Sequence, residues 1–232
     1  VPSPTWMELH TAADGSQVLY AVLEDTNEIA SFRVEGAGDS LRLVELSRVP
    51  TPGHAVTHVV FVRDDEGQGR LITADYADGY VCVHPVTESG VILEVAQMLR
   101  GEGHGPLPKP DQAASLAFVP WNALQGNAGA VAASEGMAGL AYVGLRGSER
   151  IVTLLWDGKR LTRLDEPDVP GWRGRGIDCA GSRPRHLLAI GNLLLAANEA
   201  SNNVAIFRLS ADGEPNLAAT LPSGAPTVFV RL

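Results

Sequence analysis

Four turn residues and two strand-borne histidines are the side chains of this sequence best suited to chemistry. The turn residues are Glu24, Tyr76, Arg146 and Glu199, and the histidines are His58 and His186. A carboxylate beside an imidazole can be tuned for proton transfer near neutral pH. Arginine offers bidentate hydrogen bonds to a carboxylate or phosphate, and Arg146 has a companion in Arg185, within Arg183-Pro-Arg-His186. Together with the phenol of Tyr76, such a set could hold a small anion and open an activated ester. No two of the turn residues are near one another in the chain, so a fold must bring them together.

The elements that would do so recur four times. Leu19–Phe32, Leu71–His84, Ala141–Leu154 and Leu194–Phe207 each read as an apolar strand, a short polar turn and a second, mostly alternating strand. Their starts lie 52, 70 and 53 residues apart. A period near 50 in a strand-rich chain marks a β-propeller, in which each repeat is one four-stranded blade. An opening strand precedes each pair (Trp6–Leu9, His58–Val62, Leu116–Val119, Leu187–Ile190). A fourth follows a turn (Leu41–Leu46, Val91–Ala96, Leu161–Leu164, Leu217–Leu221). Asp-Gly and Ser-Gly dipeptides at those turns fit, because glycine accepts the positive φ of tight hairpins.

The expected architecture is all-β, a single propeller over residues 1–232. Its blades fall at roughly 1–50, 51–100, 113–168 and 183–222, with a closing strand at 225–232. Aligning the opening strands puts Trp6, His58, Ser115, His186 and Val228 in one register. Aligning the turns does the same for Glu24, Tyr76, Arg146 and Glu199. In a propeller both registers face one mouth of the central channel. Arg100–Gln112 and Trp121–Met137 break the pattern and read as loops, the second with room for a helical turn.

Composition excludes several partners. With a net charge of −9, a pI near 5.1 and no Lys/Arg run longer than two, neither nucleic acid nor an anionic membrane is expected. Cys82 reads as a buried strand residue and Cys179 as a loop thiol, which asks for no oxidising compartment; a cytoplasmic setting is expected. No apolar run approaches the ~18 residues of a membrane helix. Metal-ligand spacings, phosphate loops and dinucleotide fingerprints are absent, so no metal or cofactor is expected. His10, His54, His84 and His104 read as surface or loop residues, and Asp111, Asp165 and Asp168 as loop residues.

At these words the chain resembles the seven-bladed β-propeller lactonases, the group of the bacterial 6-phosphogluconolactonase and the fungal carboxy-cis,cis-muconate cyclase. The matching words are Leu19-Tyr-Ala-Val-Leu-Glu24, Gly53 with Thr57-His58, Thr73-Ala-Asp-Tyr76 and Gly103-His-Gly-Pro-Leu-Pro108. Tyr142-Val-Gly-Leu-Arg-Gly147, Pro184-Arg-His186, Ala196–Val204 and Pro226-Thr-Val-Phe-Val230 follow in family order. Seven blades need roughly 300–350 residues, so the resemblance implies that two to three blades are missing. The break falls after Gln112, where the family has a Pro-His-x-His-Ser strand and its proposed catalytic histidine. Of the family's proposed site, Arg146 maps cleanly; Glu24, His58, Tyr76, Arg185 and His186 match positions lining the channel.

The resemblance implies a cofactor-independent lactonase-like hydrolase for a small anionic sugar lactone such as 6-phosphogluconolactone. His58, Arg146, His186 and Glu24 would be catalytic, and Arg185, Tyr76 and Glu199 would bind substrate. The alternative is a non-catalytic propeller that binds a small anion or a protein partner. Self-association is a further expectation, since an open arc of blades leaves sheet edges to cover.

Overall fold

In the computed structural model, residues 2–12, 14–64, 66–100, 111–124, 138–163 and 176–230 are described. They form four antiparallel sheets, each a meander in chain order. The first contains β1 (Pro4–Thr11), β2 (Gln17–Leu23), β3 (Glu28–Glu35) and β4 (Arg42–Pro50). The second contains β5 (Val56–Arg63), β6 (Gly69–Asp75), β7 (Tyr80–Pro85) and β8 (Gln97–Arg100). The third contains β9 (Ala113–Pro120), β10 (Gly139–Leu145), β11 (Arg150–Trp156) and β12 (Leu161–Arg163), with β13 (Ile177–Asp178) also paired to β11. The fourth contains β14 (Pro184–Ile190), β15 (Leu193–Asn198), β16 (Asn203–Leu209) and β17 (Pro215–Pro222). One helical turn, α1 (Trp121–Leu124), opens the second of the anticipated loops.

These are propeller blades. Their first strands are innermost: β1 packs on β5, β5 on β9 and β9 on β14. Successive blades are glued face to face by apolar seams. Val18, Tyr20, Val22 and Ile29 meet Val56, Val59 and Leu71 between the first and second blades. Ile72, Val81 and Val83 meet Leu116, Val143 and Trp156 between the second and third. Leu140, Tyr142 and Ile151 meet Leu187, Leu194 and Phe207 between the third and fourth. Each fully buried side chain of this size stabilises the fold by about 1.5–3 kcal/mol. Buried polar tips find partners across the seams: Trp156 Nε1 donates to the Arg63 carbonyl at 3.3 Å, and the Tyr142 hydroxyl to that of Gly213 at 2.7 Å.

The turn after each second strand is one device used four times. Its fourth residue has positive φ: Asn27 at 52°, Gly79 at 71°, Glu149 at 59° and Asn202 at 55°. Its first residue donates its backbone N–H to the lead-in of the inner strand. Glu24 reaches Ser3 at 3.2 Å, Tyr76 reaches Ala55 at 2.9 Å, Arg146 reaches Gln112 at 2.9 Å and Glu199 reaches Arg183 at 3.2 Å. The four turn residues therefore occupy equivalent places in the four blades.

Three expectations change. The fourth strand of the second blade is Gln97–Arg100, not Val91–Ala96, because Val91 and Ile92 are taken up by a turn and a single bridge to Val86. His84 is no surface residue: it lies in β7, fully buried, because its alternation places it on a seam face. Residues 225–230 form no ladder with another strand among the described residues and are instead a tail held by single hydrogen bonds to the fourth blade.

That tail nevertheless repeats the lead-in of an inner strand. Ala225 has positive φ, as do Ser3, Ala55 and Arg183. Its N–H donates to the Asn202 side chain at 2.9 Å, as the Ala55 N–H donates to Asn27 at 2.6 Å.

Candidate functional site

A β-bulge recurs at one place in all four inner strands. Pairing jumps from Pro4 to Trp6 in β1 and from Val56 to His58 in β5. It jumps from Ala113 to Ser115 in β9 and from Pro184 to His186 in β14. The extra residue is Thr5, Thr57, Ala114 or Arg185. A bulge leaves its extra residue unpaired and turns its side chain out of the sheet's alternation. Here all four line one cavity of about 480 Å³. Thr227, at the matching place in the tail, lines it too.

The residue after each bulge does different work. Nδ1 of His58 accepts the backbone N–H of Leu116 at 3.4 Å, Oγ of Ser115 that of Leu187 at 2.9 Å, and Nδ1 of His186 that of Phe229 at 3.0 Å. Each donor follows the register position of the next inner strand, or of the tail. These side chains clasp neighbouring blades together. Trp6 has only a donor and cannot join the series. Instead its ring stacks on His58, with centroids 4.3 Å apart, and lies 4.7 Å from His186.

The cavity is a polar bowl with this aromatic floor. Glu24, Tyr76, Arg146 and Arg185 surround it, with His58 and His186 below. Glu199 binds the arginines rather than facing a ligand: its Oε2 lies 2.6 Å from Arg146 and 3.8 Å from Arg185. The Arg146 guanidinium lies 6.0 Å from the Tyr76 ring, within cation–π reach. Glu24 makes no side-chain hydrogen bond or ion pair among the described residues. Burial pushes the His186 imidazole down to about 4, and it lowers His58 well below its ordinary value, with repulsion from His186 adding to the effect. Both rings are therefore neutral at pH 7.

Glu24, His58, Tyr76, Arg146, Arg185 and His186 are thus brought to one place, and Glu199 stands behind the arginines. The sequence reading names none of Thr5, Thr57 and Thr227 as a site residue, although each immediately precedes a residue of the aligned register. The remaining histidines lie elsewhere. His10 stacks on Phe61 with centroids 3.7 Å apart, and exposed His54 pairs with Asp78 at 2.6 Å. Asp111 is a buried structural anchor that accepts the N–H groups of Gly147 and Ser148. His104, Asp165 and Asp168 lie outside the described residues. Cys82 and Cys179 are free, buried thiols. Among the described residues no cluster of His, Cys, Asp or Glu could hold a metal, and no helix is long and apolar enough to cross a membrane.

The sequence model of the family "Lactonase, 7-bladed beta-propeller" matches residues 1–123. The chain belongs to this family. No curated protein matches it. Solved structures share the lactonase propeller's fold at low identity. A candidate 6-phosphogluconolactonase from Bacteroides fragilis NCTC 9343 superposes with a TM-score of 0.65 at 20% identity, over 94% of this chain and 56% of its own. One from Bacteroides uniformis ATCC 8492 gives 0.58 at 20% identity, over 92% and 56%. A Lactobacillus plantarum protein gives 0.65 at 12% identity, over 97% and 60%. This lactonase-family chain therefore spans little more than half the length of the structures it resembles.

Proposed function

We propose that this chain carries a lactonase-like hydrolytic site for a small anionic sugar lactone such as 6-phosphogluconolactone, built from side chains without a cofactor. The observation that carries this reading is the pair Arg146 and Arg185, held by the shared Glu199 at the rim of the bowl. Two guanidiniums can grip a phosphate or carboxylate by several charge-assisted hydrogen bonds. That grip would fix the lactone ring over the floor of the bowl, where water attacks its carbonyl carbon. Hydrolysis of an activated ring ester needs only modest proton transfer and charge stabilisation, so protein groups suffice. Tyr76 and the bulge threonines would border the sugar hydroxyls. Membership of the lactonase family supports the same chemistry.

The test is hydrolysis of 6-phosphogluconolactone followed by acid release. Turnover that is lost in Arg146→Ala, with the melting transition retained, supports the reading. No turnover by the wild-type chain sinks it. Binding of 6-phosphogluconate without turnover would instead indicate an anion-binding propeller.

A further inference from the structure

In many hydrolytic sites a histidine in a polar bowl is the proton carrier, and here the clasps forbid it. A backbone N–H can be accepted only by a ring nitrogen with a free lone pair. Leu116 and Phe229 direct such groups at Nδ1 of His58 and His186. Each neutral ring must then carry its hydrogen on Nε2. Nδ1 is occupied and Nε2 is protonated, so neither ring has a lone pair to offer a water molecule. Protonating Nδ1 would set donor against donor and break the clasp. Ser115, which cannot titrate, fills the same role between the third and fourth blades. The clasp asks for an acceptor and not for a base.

The two histidines differ in access. Nε2 of His58 is buried without a partner beneath Trp6. Nε2 of His186 makes no hydrogen bond among the described residues and is not among the fully enclosed atoms, while the ring lines both the bowl and a neighbouring cavity of about 760 Å³. Glu199 is engaged by two arginines. Among the described residues that line the cavity, Glu24 alone offers it an unengaged carboxylate.

We infer that His58 and His186 are held as Nε2–H tautomers, and that Glu24 is the base of the proposed hydrolysis while the Nε2–H of His186 donates to the lactone carbonyl. The inference rests on the lactonase reading for its catalytic half only. A Glu24 oxygen takes a proton from water as the water oxygen bonds to the carbonyl carbon. The carbonyl electron pair moves onto oxygen, which the His186 donor and the arginines stabilise. Collapse of the tetrahedral intermediate breaks the ring C–O bond, and the proton on Glu24 passes to the departing alkoxide. The product is the open hydroxy acid, and Glu24 is again ionised. Charged groups facing Glu24 across the bowl are Arg146 and Arg185. The titratable ones are Tyr76, His58 and His186, and Asp25 follows Glu24 in the chain, bonded to the Ser3 hydroxyl.

Two measurements test this separately. Nitrogen-15 NMR of histidine-labelled protein at pH 7, assigned with His58→Gln and His186→Gln, should show both rings as Nε2–H tautomers. It should also show neither ring titrating between pH 8 and 5.5. An Nδ1–H tautomer or an imidazolium at either position overturns the inference, whether or not the chain turns over a lactone. In hydrolysis, Glu24→Gln should lose about 10²–10⁴-fold in kcat/KM together with the acidic limb of the pH profile. His186→Gln keeps an N–H donor and cannot titrate; it should retain that limb and lose no more than about tenfold. Glu24→Asp guards against misfolding of the first variant and should restore part of the rate with the limb. A limb that vanishes in His186→Gln, or persists in Glu24→Gln, overturns the catalytic assignment. Absence of wild-type turnover refutes the lactonase reading and leaves the tautomers to be decided by NMR.

Discussion

Arg146 and Glu199, the first residues of equivalent turns in adjacent blades, are joined by a 2.6 Å ion pair that also reaches Arg185. The Arg146 side chain is only 9% exposed, so the pair fixes the guanidinium more firmly than a surface bridge would. Glu199 also subtracts one negative charge from what the bowl can offer an anion. These two effects oppose one another when it is removed.

Glu199→Gln should therefore tighten equilibrium binding of 6-phosphogluconate by about three- to tenfold, roughly 1 kcal/mol, as one unit of competing charge disappears. It should lower kcat at the same time, because Arg146 loses its orientation. Calorimetric titration beside steady-state kinetics separates the two, and the gain in affinity should shrink in high salt.

Acid should loosen the fold through its buried histidines. Burial pushes His84 and His186 down to about 4. A histidine with a depressed folded pKa stabilises the fold fully above its unfolded value near 6.5, and this contribution fades as pH falls to about 4. Each of the two accounts for about 3 kcal/mol of that loss. Both ring nitrogens of His84 are buried, with the Leu93 backbone favouring the charged ring less than burial opposes it, so His84→Leu should flatten the fall of the melting temperature below pH 6.5. An unchanged slope would contradict this origin.

Asp75 acts in the opposite direction. Burial pushes its carboxyl up to about 6, although the S–H of Cys82 and the N–H of Gly53 both donate to Oδ2. A raised acid pKa favours the fold below the unfolded value near 3.8, and that advantage is lost as pH rises through about 6, at a cost of about 3 kcal/mol. Asp75→Asn should thus be more stable than wild type at pH 8 and gain little at pH 4.5, measured by denaturant unfolding. Gly53 has to stay, since a Cβ there would meet the Asp75 carboxylate.

The clasps can be tested at the position that takes no part in chemistry. Ser115→Ala leaves the buried Leu187 N–H without its acceptor and should cost about 1–3 kcal/mol. Hydrogen exchange at the Leu187 amide should quicken more than exchange within the first blade.

Much of this was legible in the chain because repetition converts sequence position into spatial position. Aligning Glu24, Tyr76, Arg146 and Glu199 by their turns identified four equivalent residues, and the repeated N–H bonds to the lead-ins show why. Trp6, His58, Ser115 and His186 likewise stand in true register. Arg185 was legible by its charge, but the bulge that turns it, Thr5, Thr57 and Ala114 into the bowl could not be seen, because an inserted residue leaves no mark in apolar alternation. His84 was misplaced for a related reason. A polar letter in a strand reads as exposed, and only the packing of two blades reveals that its face is a seam. The role of Glu199 was hidden too, since its partner Arg146 comes from a different blade.

Within Thr57-His58 and Arg185-His186 both residues of each pair line the bowl, and Thr57, His58 and His186 also tie neighbouring segments together, whereas Arg185 makes no such tie. A replacement at position 114, 185 or 227 would repaint the rim of the bowl and leave the joints intact, whereas one at 5 or 57 would also remove a hydroxyl bond to the next blade. Those first three positions are independently rewritable letters of the site, so new ligand preferences can arise there by single steps on an unaltered frame.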